Sequence, residues 1–337
     1  MAFRPLGFMS PPIHVFPAKH SAFSMTRPDA KPVPRPVRSP GRMWVAEIWR
    51  AGFSSGGENF QVFTYPCRDV RVYWGHLTTV APRLRDEFEK APPVCNSFFE
   101  GTATVTTCRR SGLSIELSAG EEFGTGPDSA GIDFGVIDFR RAPAAFVRLD
   151  HYDSYYPYYA SPLDYFTTDT RAKLERKTGN VFGNRARTAA PIGGTHMHDL
   201  PGTAVGNWFL PGKNFRTTTD LSGAIGLASD FADPTQPIIA LGTSVRGARM
   251  GLYAFPPRET GTINRRFADV RADGRIYCYE GFSREQSPGG MPLTRPSGVL
   301  LLSLPTETTL RVEHVNQPAC PPDSARAFGA DAATFER

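Results

Sequence analysis

Short runs of β-branched and aromatic residues, bounded by glycine or proline, recur along the whole chain. This is the pattern of half-buried strands. Met43–Trp49, Phe60–Tyr65 and Val70–Trp74 come first, and Thr102–Thr107 and Gly112–Leu117 follow. A turn containing Gly120, Gly124 and Gly126 then leads into Ile132–Asp138. Residues 21–42, with their proline-rich stretch, read as a long loop after an initial strand. Helical periodicity is rare. Ala81–Ala91 has Pro82 at the first helical position, Leu84 and Phe88 four apart, and Pro92 as a stop. Thr168–Thr178 is a second helix, capped by Thr168 or Asp169 and ended by Gly179.

The second half repeats the strand pattern at Asn207–Leu210, Ala224–Leu227, Ile238–Leu241, Gly251–Phe255, Arg275–Glu280, Val299–Leu304 and Thr309–Val315. Asp273-Gly274 supplies a two-residue hairpin turn between Val270 and Ile276. The expectation is an all-β protein with two short helices. Residues 1–150 would form an antiparallel sandwich or barrel-like core, 151–180 a tyrosine-rich linker with a helix, and 181–337 a second small barrel or sandwich. Asp150–Phe166 holds six tyrosines and two prolines. It is expected to pack its rings between domains, and a carbohydrate-stacking platform is the other reading.

Composition agrees with many strands and turns: 40% of the 337 residues are hydrophobic, with 32 glycines and 31 prolines. A net charge of +5 suits anionic surfaces such as wall polymers, but a dispersed, solvated basic surface explains it as well. Dispersed charge and the lack of a recognition helix exclude nucleic-acid binding. No apolar run is long enough to span a membrane. Met1-Ala2-Phe3-Arg4-Pro5 lacks the apolar core of a secretory signal. Cys95 and Cys108 flank a hairpin-like segment, while Cys278 and Cys320 lie in or after strand-like runs. Both spacings suit disulfides and leave Cys67 single, which favours an extracytoplasmic location over a cytoplasmic one.

Three segments carry metal-competent side chains beside strand-like runs: His14-Val15-Phe16-Pro17-Ala18-Lys19-His20, Val72-Tyr73-Trp74-Gly75-His76-Leu77 and Gly131-Ile132-Asp133-Phe134-Gly135-Val136. In an extended strand His14 and His20 would lie about 20 Å apart. Two ligands of one zinc must approach to about 4 Å, so both histidines could serve one ion only if the chain reverses near Pro17. With a straight segment, His20 is the one that reaches the site.

These segments resemble the core of lysostaphin (LytM) type zinc endopeptidases, and more closely an uncharacterised bacterial branch with that core. Ser39-Pro40-Gly41-Arg42-Met43-Trp44-Val45 is similar to the entry into the core, and Tyr73-Trp74-Gly75-His76-Leu77-Thr78 to the catalytic-histidine strand. Ser118-Ala119-Gly120-Glu121-Glu122-Phe123-Gly124 is similar to the turn before the last core strand, and Asp133-Phe134-Gly135-Val136 stands in place of His-Phe-Glu-Val. The resemblance implies zinc held by His14, His20 and Asp133, with His76 as the catalytic histidine, and hydrolysis of wall peptides. Gly131 replaces the first histidine of the H-x-H pair and Asp133 the second, while Lys19 and His20 occupy the place of the early aspartate. The alternative is an inactive envelope or wall-binding protein that uses the same groove.

Two other features compete. Thr195-His196-Met197-His198-Asp199 contains an H-x-H pair, whose alternate residues share a strand face, but it reads as a loop with no third ligand nearby. Asp199-Leu200-Pro201-Gly202-Thr203-Ala204-Val205-Gly206-Asn207-Trp208-Phe209 resembles a signature of the same branch. Its small positions before Trp208 suggest a tight approach under an aromatic, making Asp199 and Trp208 a structural pair or a small polar ligand site. No serine lies in a G-x-S-x-G elbow, so a nucleophile triad is not expected.

Overall fold

The strand pattern resolves into four antiparallel sheets and two short α-helices. The computed structural model describes residues 1–337 apart from 12–13, 25–33, 101–102, 127–130, 181–182, 217–220 and 285–296. Part of the proline-rich stretch read as a loop therefore lies outside the described residues. The chain divides into two units. The first comprises Met1–Pro5, His20–Ala142 and Tyr158–Ala186, and the second Leu6–Lys19, Pro143–Pro157 and Arg187–Arg337. Both are discontinuous, whereas the sequence suggested consecutive stretches.

The first unit begins with β1 (Ala2–Arg4), β2 (Ser21–Ser24) and β3 (Arg35–Arg38), so strands occupy both ends of the segment expected as loop. There follow β4 (Met43–Phe53), β5 (Glu58–Cys67), β6 (Val70–Leu77), β7 (Thr79–Val80) and α1 (Pro82–Glu89). Helix α1 starts at its proline and buries Leu84 and Phe88, as their spacing predicts. Next come β8 (Val94–Glu100), β9 (Ala103–Leu117), β10 (Glu122–Gly126), β11 (Gly131–Asp138), β12 (Tyr159–Ala160) and α2 (Thr168–Glu175). Strand β9 is continuous where two strands were expected. Its pairing with β4 absorbs the interruption as a register shift between Val45 and Glu47. Helix α2 starts one residue early, from Thr167, and Thr178 Oγ1 bonds Leu174 O at its end, so Gly179 is not a left-handed cap.

The main sheet runs β1-β2-β11-β6-β5-β4-β9-β8, with β12 on β11, and a second sheet runs β3-β10-β7. Its register explains how the chemistry-bearing residues meet. Asp133 lies opposite Ala22 on one side and Gly75 on the other, and Ala22 lies opposite Arg4. Directly opposed residues share a sheet face. Arg4, Ala22, Asp133 and Gly75 therefore form one cross-strand row. Gly131 and Gly135 flank Asp133 on that face because side chains alternate. The reverse face is apolar, with Phe134 stacked on Trp74 (4.2 Å between centroids) and Phe23 (5.7 Å).

The second unit holds β13 (Gly206–Trp208), β14 (Ile225–Ser229), β15 (Pro237–Leu241), β16 (Gly251–Ala254), β17 (Tyr277–Tyr279), β18 (Ser283–Arg284), β19 (Val299–Thr306), β20 (Thr309–Val315) and β21 (Ala333–Glu336). They form sheets β13-β14-β15-β16-β18 and β17-β19-β20-β21. One core joins the two sheets, with Trp208, Leu227 and Ile239 from the first beside Tyr279, Leu302 and Leu310 from the second. This is a sandwich, and no sheet closes into a barrel among the described residues. The hairpin expected at Asp273-Gly274 does not form. Gly274 makes the turn at φ 76°, but the residues before it are a 3-10 turn, and β17 pairs with β19 instead. Cys95–Cys108 and Cys278–Cys320 are disulfides and Cys67 is free and exposed. The tyrosine-rich stretch is divided between the units. Tyr152 and Tyr156 join Phe146, Phe209 and Phe16 in a second-unit cluster.

Gly135 tests the logic of the site face. A Cβ there would enter the Tyr73 ring, which lies across the glycine from the neighbouring strand. Gly135→Ala is expected to cost about 1–3 kcal/mol, as overpacking does. It should read as a lowered urea midpoint with an unchanged slope.

A carboxylate between two imidazoles in the first unit

Asp133 sits mid-sheet on β11, with its side chain 14% exposed. Its two oxygens face different imidazoles. Oδ1 lies 3.4 Å from Nδ1 of His20, one residue before β2, and Oδ2 lies 3.2 Å from Nε2 of His76 on β6. His20 is buried, whereas the side chain of His76 is 52% exposed. Small neighbours make this convergence possible. A Cβ at Gly75 would lie 3.0 Å from Asp133 Cβ and 3.3 Å from Oδ2, so a side chain there would press on the carboxylate. His76 adopts φ 60°, a left-handed conformation rare for residues other than glycine and costing on the order of 1–2 kcal/mol. Strain of this kind gathers where a side chain must be aimed.

A third group beside the carboxylate, and the one that is permanently positive, is Arg4, 8% exposed on β1. Ala22 lies between it and Asp133 in the row. Its Nη2 comes within 2.9 Å of the point a Cβ of Gly131 would occupy. Burial lowers the pKa of Arg4 and the Asp133 charge raises it. Burial also lowers the pKa of His20. Asp133 and the Ser21 carbonyl oppose that shift, and Arg4 and His76 add to it.

Proton placement follows from the acceptors. Nδ1 of His20 faces both Asp133 and the Ser21 carbonyl oxygen, the latter at 3.2 Å. Ionised carboxylates and carbonyls only accept, so Nδ1 carries the proton and neutral His20 keeps its lone pair on Nε2. By the same argument Nε2 of His76 donates to Oδ2, leaving Nδ1 of the half-exposed ring as a base. A buried carboxylate that fixes the tautomer of a surface imidazole is an arrangement suited to proton transfer.

The donor types also suit zinc. Two ligand atoms on one tetrahedral zinc lie about 3.3 Å apart, given bonds of roughly 2.0–2.1 Å. The separations of 3.4 and 3.2 Å match that edge. No group of three or more His, Cys, Asp or Glu side chains among the described residues is arranged to hold a metal ion. An ion would have to exchange with the N–H protons, as metal binding to histidine generally requires.

The other sequence-derived candidates lie in the second unit. His14 exchanges backbone hydrogen bonds with Ser10, and its ring meets the edge of Phe8 at 5.2 Å. Bonds between Gly7, Phe8 and Ala18 extend that pairing, so the chain reverses before His14 rather than at Pro17. Asp199 is buried and accepts the backbone N–H groups of Val147 and Asn207, and a Cβ at Gly206 would strike its Oδ1. Trp208 is fully buried, donates from Nε1 to Ala204 O, and carries the Arg337 guanidinium over its ring. His196 and His198 donate from Nε2 to separate carbonyl oxygens, of Tyr156 and Thr195. Arg4 is the residue that sequence reasoning missed. Its signal was a lone charge in the apolar run Met1-Ala2-Phe3-Arg4-Pro5-Leu6.

Comparison with family models, with curated proteins and with solved structures finds no match for this chain.

Burial pushes the pKa of His196 and of His198 down to about 4 from an ordinary 6.5. The unfolded chain therefore binds more protons than the fold between these values. Their contribution to stability is intact above pH 6.5 and is lost as pH falls toward 4. Urea unfolding between pH 7 and 4 should show a shallower loss for His196→Gln than for the wild type, each measured against its own stability at pH 7.

Proposed function

We propose that the first unit is an altered lysostaphin-type hydrolase centre that acts on peptide bonds of wall material outside the cytoplasm. One observation carries the reading. Positions 20, 76 and 133, remote in sequence, place two imidazoles within 3.4 and 3.2 Å of opposite oxygens of one carboxylate. In this reading His76 removes a proton from the attacking water through Nδ1 and returns it to the leaving amine. Asp133 holds the opposite ring nitrogen and stabilises the imidazolium that forms. His20 and Asp133 would hold a zinc ion, which when bound supplies Lewis acidity to a carbonyl and to water. The two disulfides suit an oxidising compartment.

Arg4 favours a second reading, in which the same face docks a wall polymer without chemistry. It is a permanent cation within electrostatic reach of the carboxylate.

Elemental analysis of the purified protein and hydrolysis of glycine-rich and wall-derived peptides test the proposal together. Zinc should be present and should fall in His20→Ala. His76→Ala should keep the zinc and the fold but lose on the order of 10²–10⁴ in rate, the usual share of a general base. A wild type without zinc or hydrolysis, yet binding wall material in the presence of a chelator, would replace the hydrolase by the docking module.

A further inference from the structure

Near the β8 edge of the main sheet lies a groove that neither reading of the Asp133 centre uses. Strands β4, β5 and β9 bound it, and its volume of about 580 Å³ lies within the roughly 300–1,000 Å³ typical of small-ligand sites. Register builds it. Arg50 lies opposite Cys108, and Gly52 lies opposite both Glu58 and Thr106. These residues therefore share one face, to which alternation adds Ser54 and Thr104. Gly52 leaves the floor bare, since a Cβ there would meet nothing closer than the Thr106 carbonyl oxygen at 4.0 Å.

Arg50 is the group in this groove without an assignment. Its guanidinium lies over the ring of Phe88 on α1, 5.2 Å from the centroid. Its ion-pair partner is Glu58, 4.0 Å from Nε, and among the described residues the guanidinium donates no hydrogen bond. Glu58 is held more closely by Arg85, whose Nη2 donates to Oε1 at 2.9 Å. Two arginines against one carboxylate leave one positive charge, on the planar fork of Arg50. Such a fork matches an oxyanion with paired N–H groups. The remaining lining is hydroxylic. Ser54 Oγ accepts the Thr104 N–H at 2.8 Å and keeps its own hydrogen to donate. Thr106 Oγ1 and Ser97 Oγ pair at 2.8 Å, and the Cys95–Cys108 disulfide ties the strand that carries Ser97 to the groove. Donors and acceptors in this mixture suit a ligand whose hydroxyls do both.

We propose that the groove binds a short saccharide bearing an oxyanion. The anionic group sits on Arg50, hydroxyls bond Ser54, Thr106 and Oε2 of Glu58, and a sugar ring covers bare Gly52. From Arg50 to Ser54 the strand runs about 13 Å at roughly 3.3 Å per residue, longer than a single sugar ring. The site is separate from Asp133 and stands whether or not hydrolysis occurs there.

Calorimetric titration with galacturonate trisaccharide, sulfated galactose trisaccharide, neutral galactose trisaccharide and inorganic phosphate tests the assignment. Circular dichroism and the urea midpoint check the fold. At least one acidic trisaccharide should bind the wild type, and the tighter of the two identifies the anionic group. Arg50→Gln should weaken that binding by about tenfold or more, the worth of a charge-assisted hydrogen bond, to the level of the neutral sugar. Gly52→Val should weaken it similarly without lowering the urea midpoint, because the new side chain enters empty space and valine favours strands. No binding of either acidic trisaccharide, equal affinity for the neutral one, or phosphate binding as tight as theirs would each overturn the proposal. Unchanged binding by folded Gly52→Val would do the same. If Arg50→Gln does not fold, Gly52→Val and the neutral trisaccharide decide the matter alone.

Discussion

A carboxylate placed in the middle of a β-sheet must be compensated, and the first unit is arranged around that requirement. Asp133 has 14% of its side chain exposed, too little for water to carry its charge alone. Compensation comes from three places far apart in the chain: β1 through Arg4, the residue before β2 through His20, and β6 through His76. Alternation along β11 and β6 leaves Gly131, Gly135 and Gly75 on the same face, so no side chain at these three positions crowds the carboxylate, and the Tyr73 ring occupies the space over Gly135. The backbone also yields, with His76 held in a left-handed conformation that exposes its ring while one nitrogen stays on Asp133.

The second unit meets the same requirement without exposing a reactive group. Asp199 is satisfied by backbone N–H groups. Arg337, 1% exposed, donates to the carbonyl oxygens of Thr203, Val205 and Glu307 while its guanidinium lies over Trp208. Each guanidinium nitrogen of Arg337 ends on a backbone carbonyl oxygen. The buried charge fixes the loop before β13 under the tryptophan, and the difference from Asp133 is one of access. His76 reaches solvent, and nothing equivalent does at Asp199.

Strands were legible because β-branched and aromatic residues alternate there, and the seven expected in the second half appear within a few residues of their predicted bounds. The cysteine pairs were legible too, since one brackets a hairpin and the other ties two β-rich segments. Failures fall where pairing is long-range. Strands β1 to β3 are three or four residues long and acquire their identity from partners elsewhere in the chain. Cys108-Arg109-Arg110-Ser111 fell between two expected strands, but a register shift carries β9 through it. Asp273-Gly274 made its turn, yet β17 found a better partner in the apolar β19. Within the site, His20, His76 and Asp133 were visible as chemistry. Arg4 was not, because only register reveals that an N-terminal arginine lies in a row with Asp133.

A double-mutant cycle on folding stability, with Arg4→Met and Asp133→Asn, addresses the organising interaction most directly. If the buried carboxylate and its guanidinium support each other, each single substitution strands a buried partner. The double mutant should then be more stable than the sum of the two losses allows, by more than about 1 kcal/mol. Additive losses would mean that the two charges do not interact in the folded protein, and Asp133 would lose its place as the centre of the unit.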